Sequence, residues 1–313
     1  MRSAASRVEA TGRHRHWEHY GLIALAATMW GSLGVVTKLL YTLGMGPWSL
    51  TFFRTALGFV AFGLVIVVKD RSWLAVERKD LLFLALFGLI STSAFYALYL
   101  FTISLTSVAA AAVLLYTAPA FSAIMARLVF SEPITPAKVG ALILTFGGCV
   151  LVAGLESGSP VVSPLGIATG LGSALTYASF GIMGKQARER YNPWTINFYS
   201  MAFATVALIP LLLLPDVSLW PYPPEVWALL ALMTAGPTLL SRALYVSAVK
   251  HVEASRAAIV ATVEPVAAAA FAFALLGEML SPVQLVGGVL VLVGSVLAQG
   301  SGQERVGSAD EVG

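Results

Sequence analysis

Ten apolar stretches, each near the length a helix needs to cross a bilayer, run through this chain between short polar breaks. A bilayer core takes about 20 helical residues to cross. Stretches of that order lie at 20–41, 48–68, 80–101, 106–130, 137–154, 165–187, 194–214, 225–247, 253–277 and 283–300. Transmembrane β-strands are about ten residues long and alternate polar with apolar. No segment here alternates in that way. The expected fold is therefore an all-α membrane protein with ten transmembrane helices. Only 11% of the residues are charged, against roughly 25% in soluble domains. So few charges cannot cover a water-facing surface, which leaves lipid as the solvent. The first stretch is longer than the ~7–15 apolar residues of a cleaved signal and carries Lys38, so it reads as a retained span.

The basic residues fall on one side. They occupy the N-terminal tail (Arg2, Arg7, Arg13, Arg15), the connection 69–79 (Lys69, Arg71, Arg78, Lys79) and Lys138. They recur at Lys185, Arg188 and Arg190, at Lys250 and Arg256, and at Arg305. The alternate connections, 42–47, 102–105, 155–164, 215–224 and 278–282, hold no Lys or Arg. Cytoplasmic loops collect Lys and Arg, so both termini are expected in the cytoplasm and the chain in the cell membrane as a multi-pass protein. The polar tail 301–313 reads as disordered. The net charge of +3 is accounted for by such loops and calls for no nucleic-acid partner.

The chain also repeats itself. At a shift of 146 residues, Pro47-Trp48 becomes Pro193-Trp194, and Ala97-Leu98-Tyr99 becomes Ala243-Leu244-Tyr245. At the same shift Pro119 becomes Pro265, Glu132 becomes Glu278 and Pro136 becomes Pro282. One residue out of register, Gly34 and Lys38 match Gly181 and Lys185. Each half, 20–156 and 165–300, holds five spans, and an odd number starts the second half on the opposite face. Two inverted five-helix repeats follow, flanked by cytoplasmic tails at 1–19 and 301–313. Inverted repeats are a common transporter layout, with the substrate site near the midplane.

These residues resemble the EamA-like family of the drug/metabolite transporter superfamily. The resemblance lies in Trp30-Gly31-Ser32, in Arg54 early in the second span and in the tyrosine-bearing third span. It lies most in Pro119, Glu132, Pro136 and Gly147-Gly148, and in Glu264-Pro265, Glu278, Pro282 and Gly287-Gly288. It covers roughly residues 20–300 and implies ten spans, cytoplasmic termini, a central cavity and carriage, usually as export. It names no substrate. Small multidrug-resistance relatives use a glutamate in the first span, which is absent here.

The repeat separates residues that serve the fold from residues that serve an asymmetric substrate. Recurring positions read as structural. Thr135-Pro136 and Ser281-Pro282 open the fifth and tenth spans, and Glu132 and Glu278 precede them as capping carboxylates. The paired glycines pack helices, and Lys38 and Lys185 snorkel from span ends. Unpaired positions are the candidates for substrate binding or coupling. Glu264, halfway along the ninth span, aligns with Ala118, and Arg54 aligns with Ser200. A charge at that depth must face a cavity or a partner. Trp30, Tyr99 and Tyr116 join them as cavity aromatics, with Tyr96, Tyr177 and Tyr245 as weaker candidates. Arg127 and Arg242 read as snorkelling or locally paired. Gly236-Pro237, and prolines in the fourth and ninth spans, break helices in a way tolerated only beside protein or a wet cavity. Those breaks point to the third, fourth, eighth and ninth spans around a pathway.

The favoured function is a secondary transporter of a small polar, amino-acid-like or drug-like compound, working by alternating access with proton or exchange coupling open. No HExxH, GxSxG or P-loop is present, so no enzyme, cofactor or metal is expected. The single Cys149 sits in an apolar stretch and reads as a packed residue. A channel is the alternative, followed by a membrane-embedded scaffold or enzyme.

Overall fold

A computed structural model describes residues 2–105, 108–153, 163–213, 217, 221–277 and 281–300. Among these the regular structure is entirely helical. Ten helices follow one another: α1 (Trp17–Thr42), α2 (Pro47–Lys69), α3 (Arg78–Ile103), α4 (Ala111–Phe130) and α5 (Pro136–Val152). The second set is α6 (Pro164–Ala187), α7 (Pro193–Leu213), α8 (Pro224–Val249), α9 (Ala254–Leu275) and α10 (Pro282–Ala298). Eight are long and apolar enough to cross a membrane, while α5 and α10 are shorter apolar helices. The polar N-terminal segment is helical too and runs into α1 from Arg2. Outward faces carry large apolar side chains such as Val68 (81% exposed) and Leu128 (78%). Such faces suit lipid, and the chain is a multi-pass membrane protein.

Local chemistry explains the helix starts. Proline opens six of the ten helices, where its missing N–H would lack a partner anyway. Ser163 accepts from Gly166 N at 3.1 Å and Asn192 from Thr195 N at 2.9 Å. Ser281 accepts from Gln284 N at 3.2 Å while Gln284 returns a bond from Ser281 N at 2.9 Å, a reciprocal capping box. Thr135 caps α5 through Lys138 N at 3.3 Å.

Glu132 does not cap α5, contrary to its place in the sequence. Ser131, at φ 56°, turns the chain back after α4 and aims Glu132 at α9 instead. Its carboxylate accepts from Ala254 N at 2.8 Å, Ser255 N at 3.3 Å and Ser255 Oγ at 2.7 Å. Lys185 joins it at 2.9 Å and also donates to Val252 O at 2.8 Å, so Lys185 is an ion-pair residue rather than a snorkelling one. Lys138, almost fully buried, bonds Glu253 at 2.9 Å, and Arg256 pairs with the same carboxylate. Glu278, the sequence equivalent of Glu132, lies outside the described residues, as does the tail 301–313.

Packing exchanges the two halves. α1 packs on α8 and α9, and α6 packs on α3 and α4. α2 lies on α7, and α5 on α10. The last pair meets through glycine. A Cβ on Gly148 would sit 2.6 Å from the Gly287 carbonyl, and one on Gly287 would sit 2.7 Å from the Gly148 carbonyl. Small residues allow this close approach, and packing is the main force between helices in lipid. The largest buried cluster joins Ile23 and Ala27 of α1 to Phe180 of α6, Val246 of α8 and Val260 of α9.

Among the described residues five of the ten helices are interrupted: α1 at Ser32, and four others in matching pairs. α4 breaks at Tyr116-Thr117 and α9 at Thr262. α3 contains a π-helical turn at Leu89–Ala94, and α8 one at Thr234–Leu240 around Pro237. The break in α3 has no proline or glycine inside it. Such turns inside α-helices occur often at functional sites.

Candidate functional site

The interruptions gather around a cavity of about 200 Å³ between α1, α2, α3, α4, α6, α8 and α9. Glu264 and Arg54, picked out by the repeat and by depth, and Trp30, Tyr99 and Tyr116, taken as cavity aromatics, all line it. A smaller apolar space of about 40 Å³ adjoins it at Pro119 and Thr262 and shares Trp30, Tyr116 and Glu264 with it.

Glu264 stands in the first turn of the half-helix that follows the break in α9. Helix N-terminal N–H groups without intrahelical partners favour a carboxylate there. Tyr177 Oη of α6 donates to Glu264 Oε2 at 3.1 Å. Among the described residues no Lys or Arg lies within ion-pair distance of it. Glycine sets the approach of α1. A Cβ on Gly31 would sit 2.8 Å from the Glu264 carbonyl oxygen and from Ala267 Cβ. This contact brings Trp30, the preceding residue, to the cavity wall.

The cations come from two helices. Arg54 of α2 donates through Nε to Thr238 Oγ1 in the α8 break at 3.3 Å, and its guanidinium lies 5.1 Å from the Tyr96 ring centroid. Arg242 of α8 is buried, so it does not snorkel as its place in the sequence suggests. It donates through Nε to Asn197 Oδ1 at 3.0 Å and through Nη2 to Ser200 Oγ at 3.3 Å. Its guanidinium lies 4.3 Å from the Phe180 ring centroid. Arg127, by contrast, is exposed and bonds the Ser131 carbonyl at 3.4 Å.

Aromatic rings fill the walls. The Trp30 ring lies 5.3 Å from Tyr245, and Phe180 stacks on Tyr245 at 5.4 Å. Phe95 meets Tyr99 at 5.9 Å and Tyr177 at 5.1 Å. Tyr96 and Tyr177 line the larger space, while Tyr245 lines the smaller one. The sequence breaks pointed to α3, α4, α8 and α9, and the cavity uses all four. It adds α1, α2 and α6, which have no internal proline to betray them, although α1 turns at Ser32.

The EamA-like transporter family matches this chain twice, over residues 19–154 and 164–299. This chain belongs to the EamA-like transporter family. The two matches fall one on each half of the chain. An uncharacterized transporter of Archaeoglobus fulgidus is 32% identical, over 88% of this chain and 94% of that one. The uncharacterized transporter YyaM of Bacillus subtilis is 25% identical over 83% and 87%. The pseudopaline exporter CntI of Pseudomonas aeruginosa is 25% identical over 79% and 84%. A solved crystal structure has the same fold, with a TM-score of 0.77 at 17% identity over 89% of this transporter and 96% of that chain. Arg242 and Tyr177 are the site residues that sequence reasoning undervalued. Tyr177 aligns with Trp30 one residue out of register, so the repeat carried a signal for it.

Proposed function

We infer that this transporter is a secondary carrier that exports a small polar metabolite by alternating access. The observation that supports this most is the placing of Glu264 at a helix discontinuity. It stands in one cavity with Arg54, between aromatic walls. A carboxylate and a guanidinium within one cavity suit a substrate carrying both signs of charge. Trp30, Tyr99 and Tyr116 supply the flat apolar surface against which its carbon frame rests. Ten helices would cross the cell membrane as two inverted repeats, 20–156 and 165–300, with cytoplasmic tails. The exchange of packing partners between halves supports the two-fold relation, and the Lys/Arg distribution supports the orientation. Alternating access then follows by rocking one repeat against the other around the fixed site. Export rests on the family and on the named exporter among its relatives.

Comparison of metabolites inside and outside cells with and without the transporter tests the function. At least one polar metabolite is expected to shift outward when the protein is present. An unchanged metabolite profile on both sides contradicts export. Orientation has its own test, in a Cys149→Ala background with single cysteines at Thr42, which closes α1, and at Ser72, just after α2, both exposed. A membrane-impermeant thiol reagent is expected to label Thr42→Cys from outside and Ser72→Cys only from the cytoplasm. Labelling of both from one side would sink the proposed topology.

A further inference from the structure

The charges lining the larger cavity do not balance. It holds two guanidiniums, Arg54 and Arg242, and one carboxylate, Glu264. Among the described residues neither arginine has a carboxylate within ion-pair distance. Arg242 is only 7% exposed, and its two protein acceptors, Asn197 Oδ1 and Ser200 Oγ, are neutral. They satisfy N–H groups without neutralising the charge, and a buried charge needs a counter-charge as well as hydrogen bonds. Among the described residues Nη1 of Arg242 has no acceptor and Arg54 donates only through Nε. Donors remain on both forks.

The repeat places these two cations asymmetrically. Arg54 aligns with Ser200, and Tyr96 aligns with Arg242. In the first half the cation is on the second helix and lies over Tyr96 of the third. In the second half the cation is on the third helix and donates to Ser200 of the second. Each half thus contributes one guanidinium, but from opposite members of the same helix pair. Structural cations such as Lys138, which aligns with Gln284, also go unrepeated, but Lys138 has the Glu253 carboxylate at 2.9 Å, whereas among the described residues Arg54 and Arg242 have none. This exchanged pair instead gives an asymmetric cavity with two anion-binding forks and one carboxylate.

Given a substrate carried at this cavity, as inferred above, we propose that Arg242 is a second anion-binding position beside Arg54. The substrate class is then an amino dicarboxylate, a small molecule with two carboxylates and one ammonium. Each carboxylate meets one guanidinium, whose planar fork matches it in two-point geometry. The ammonium meets Glu264. With all groups ionised, the excess positive charge of the site is cancelled by the net negative charge of such a compound. Tyr96 and Phe180, flanking the guanidiniums, hold them by cation–π contact without using their donors.

The test uses the full-length transporter in proteoliposomes with five probes: L-aspartate, L-glutamate and L-2-aminoadipate, and the amides L-asparagine and L-glutamine. The three acids differ in chain length and so sample the spacing of the two forks. At least one acid is expected to move about tenfold or more faster than its amide or its nearest one, the factor that one charged hydrogen bond carries. Arg242→Gln should lower the rate for that acid far more than for the amide, collapsing the ratio towards one. Arg242→Lys should keep part of the preference, and it serves if the Gln variant does not elute as a folded particle. Amides moving as fast as acids in the wild type would overturn the proposal, as would Arg242→Gln slowing both by one factor. In either case the carrier reading stands. If none of the five probes moves but a metabolite identified in cells does, the dicarboxylate class falls and the carrier remains. If no compound shows saturable flux, both fall.

Discussion

Glu264→Gln is expected to reduce substrate flux by about 10- to 150-fold, the range set by losing one charged hydrogen bond to the substrate. The side chain keeps its length, and its amide oxygen can still accept from Tyr177 Oη, which lies 3.1 Å from the native carboxylate. Folding should therefore be little affected, and the variant should elute and melt like the wild type. What disappears is the negative charge that faces the cavity. Glu264→Asp keeps the charge but retracts it by one methylene, so it should fall between the two. Flux of the same labelled substrate through equal amounts of reconstituted protein checks the order wild type, Asp, Gln. Wild-type flux in the Gln variant would reduce Glu264 to a packing residue beside Pro265.

Glu132→Ala should have the largest effect on stability. One carboxylate ties the end of α4 to α6 through Lys185 and to the start of α9 through two backbone N–H groups and Ser255 Oγ. Its removal strips a helix cap and takes from Lys185 its carboxylate partner, leaving it the Val252 carbonyl at 2.8 Å and the Phe130 ring. Breaking a buried pair from one side costs about 3–5 kcal/mol. A fall in melting temperature of roughly 10 °C follows for a chain of this size. Glu132→Gln retains acceptors for the N–H groups but not the charge, and should melt in between. An unchanged melting temperature for the Ala variant, followed by tryptophan fluorescence in detergent, would show that the other anchors of α9 suffice.

Helix placement was legible because hydropathy and the bilayer dictate it together. The run 194–214 became Pro193–Leu213 and 165–187 became Pro164–Ala187. Proline and N-cap chemistry marks starts to within a residue or two. Glu264, Arg54 and Trp30 were legible for a different reason. A charge or indole deep in an apolar stretch has few stable places to go, and the repeat removes those that serve both halves alike. Three features were not legible. Glu132 caps a helix from the other half, a long-range contact that depends on the left-handed turn at Ser131. The π-helical turn Leu89–Ala94 lacks the proline that marks its counterpart at Pro237. Arg242 lies near enough to the end of α8 to be read as snorkelling, and only the folded chain turns it inward onto Asn197 and Phe180.

Counterflow tests the central claim, that one substrate site is exposed alternately to the two sides of the membrane. Proteoliposomes are loaded with unlabelled substrate, diluted into a trace of the same compound carrying a label, and sampled over time. A carrier exchanges one for the other, so the label should accumulate inside transiently above its outside concentration, and its initial uptake should saturate with concentration. Glu264→Gln should lose this accumulation. Label that only equilibrates, at a rate proportional to concentration and indifferent to the unlabelled substrate inside, would contradict alternating access and make the protein a channel.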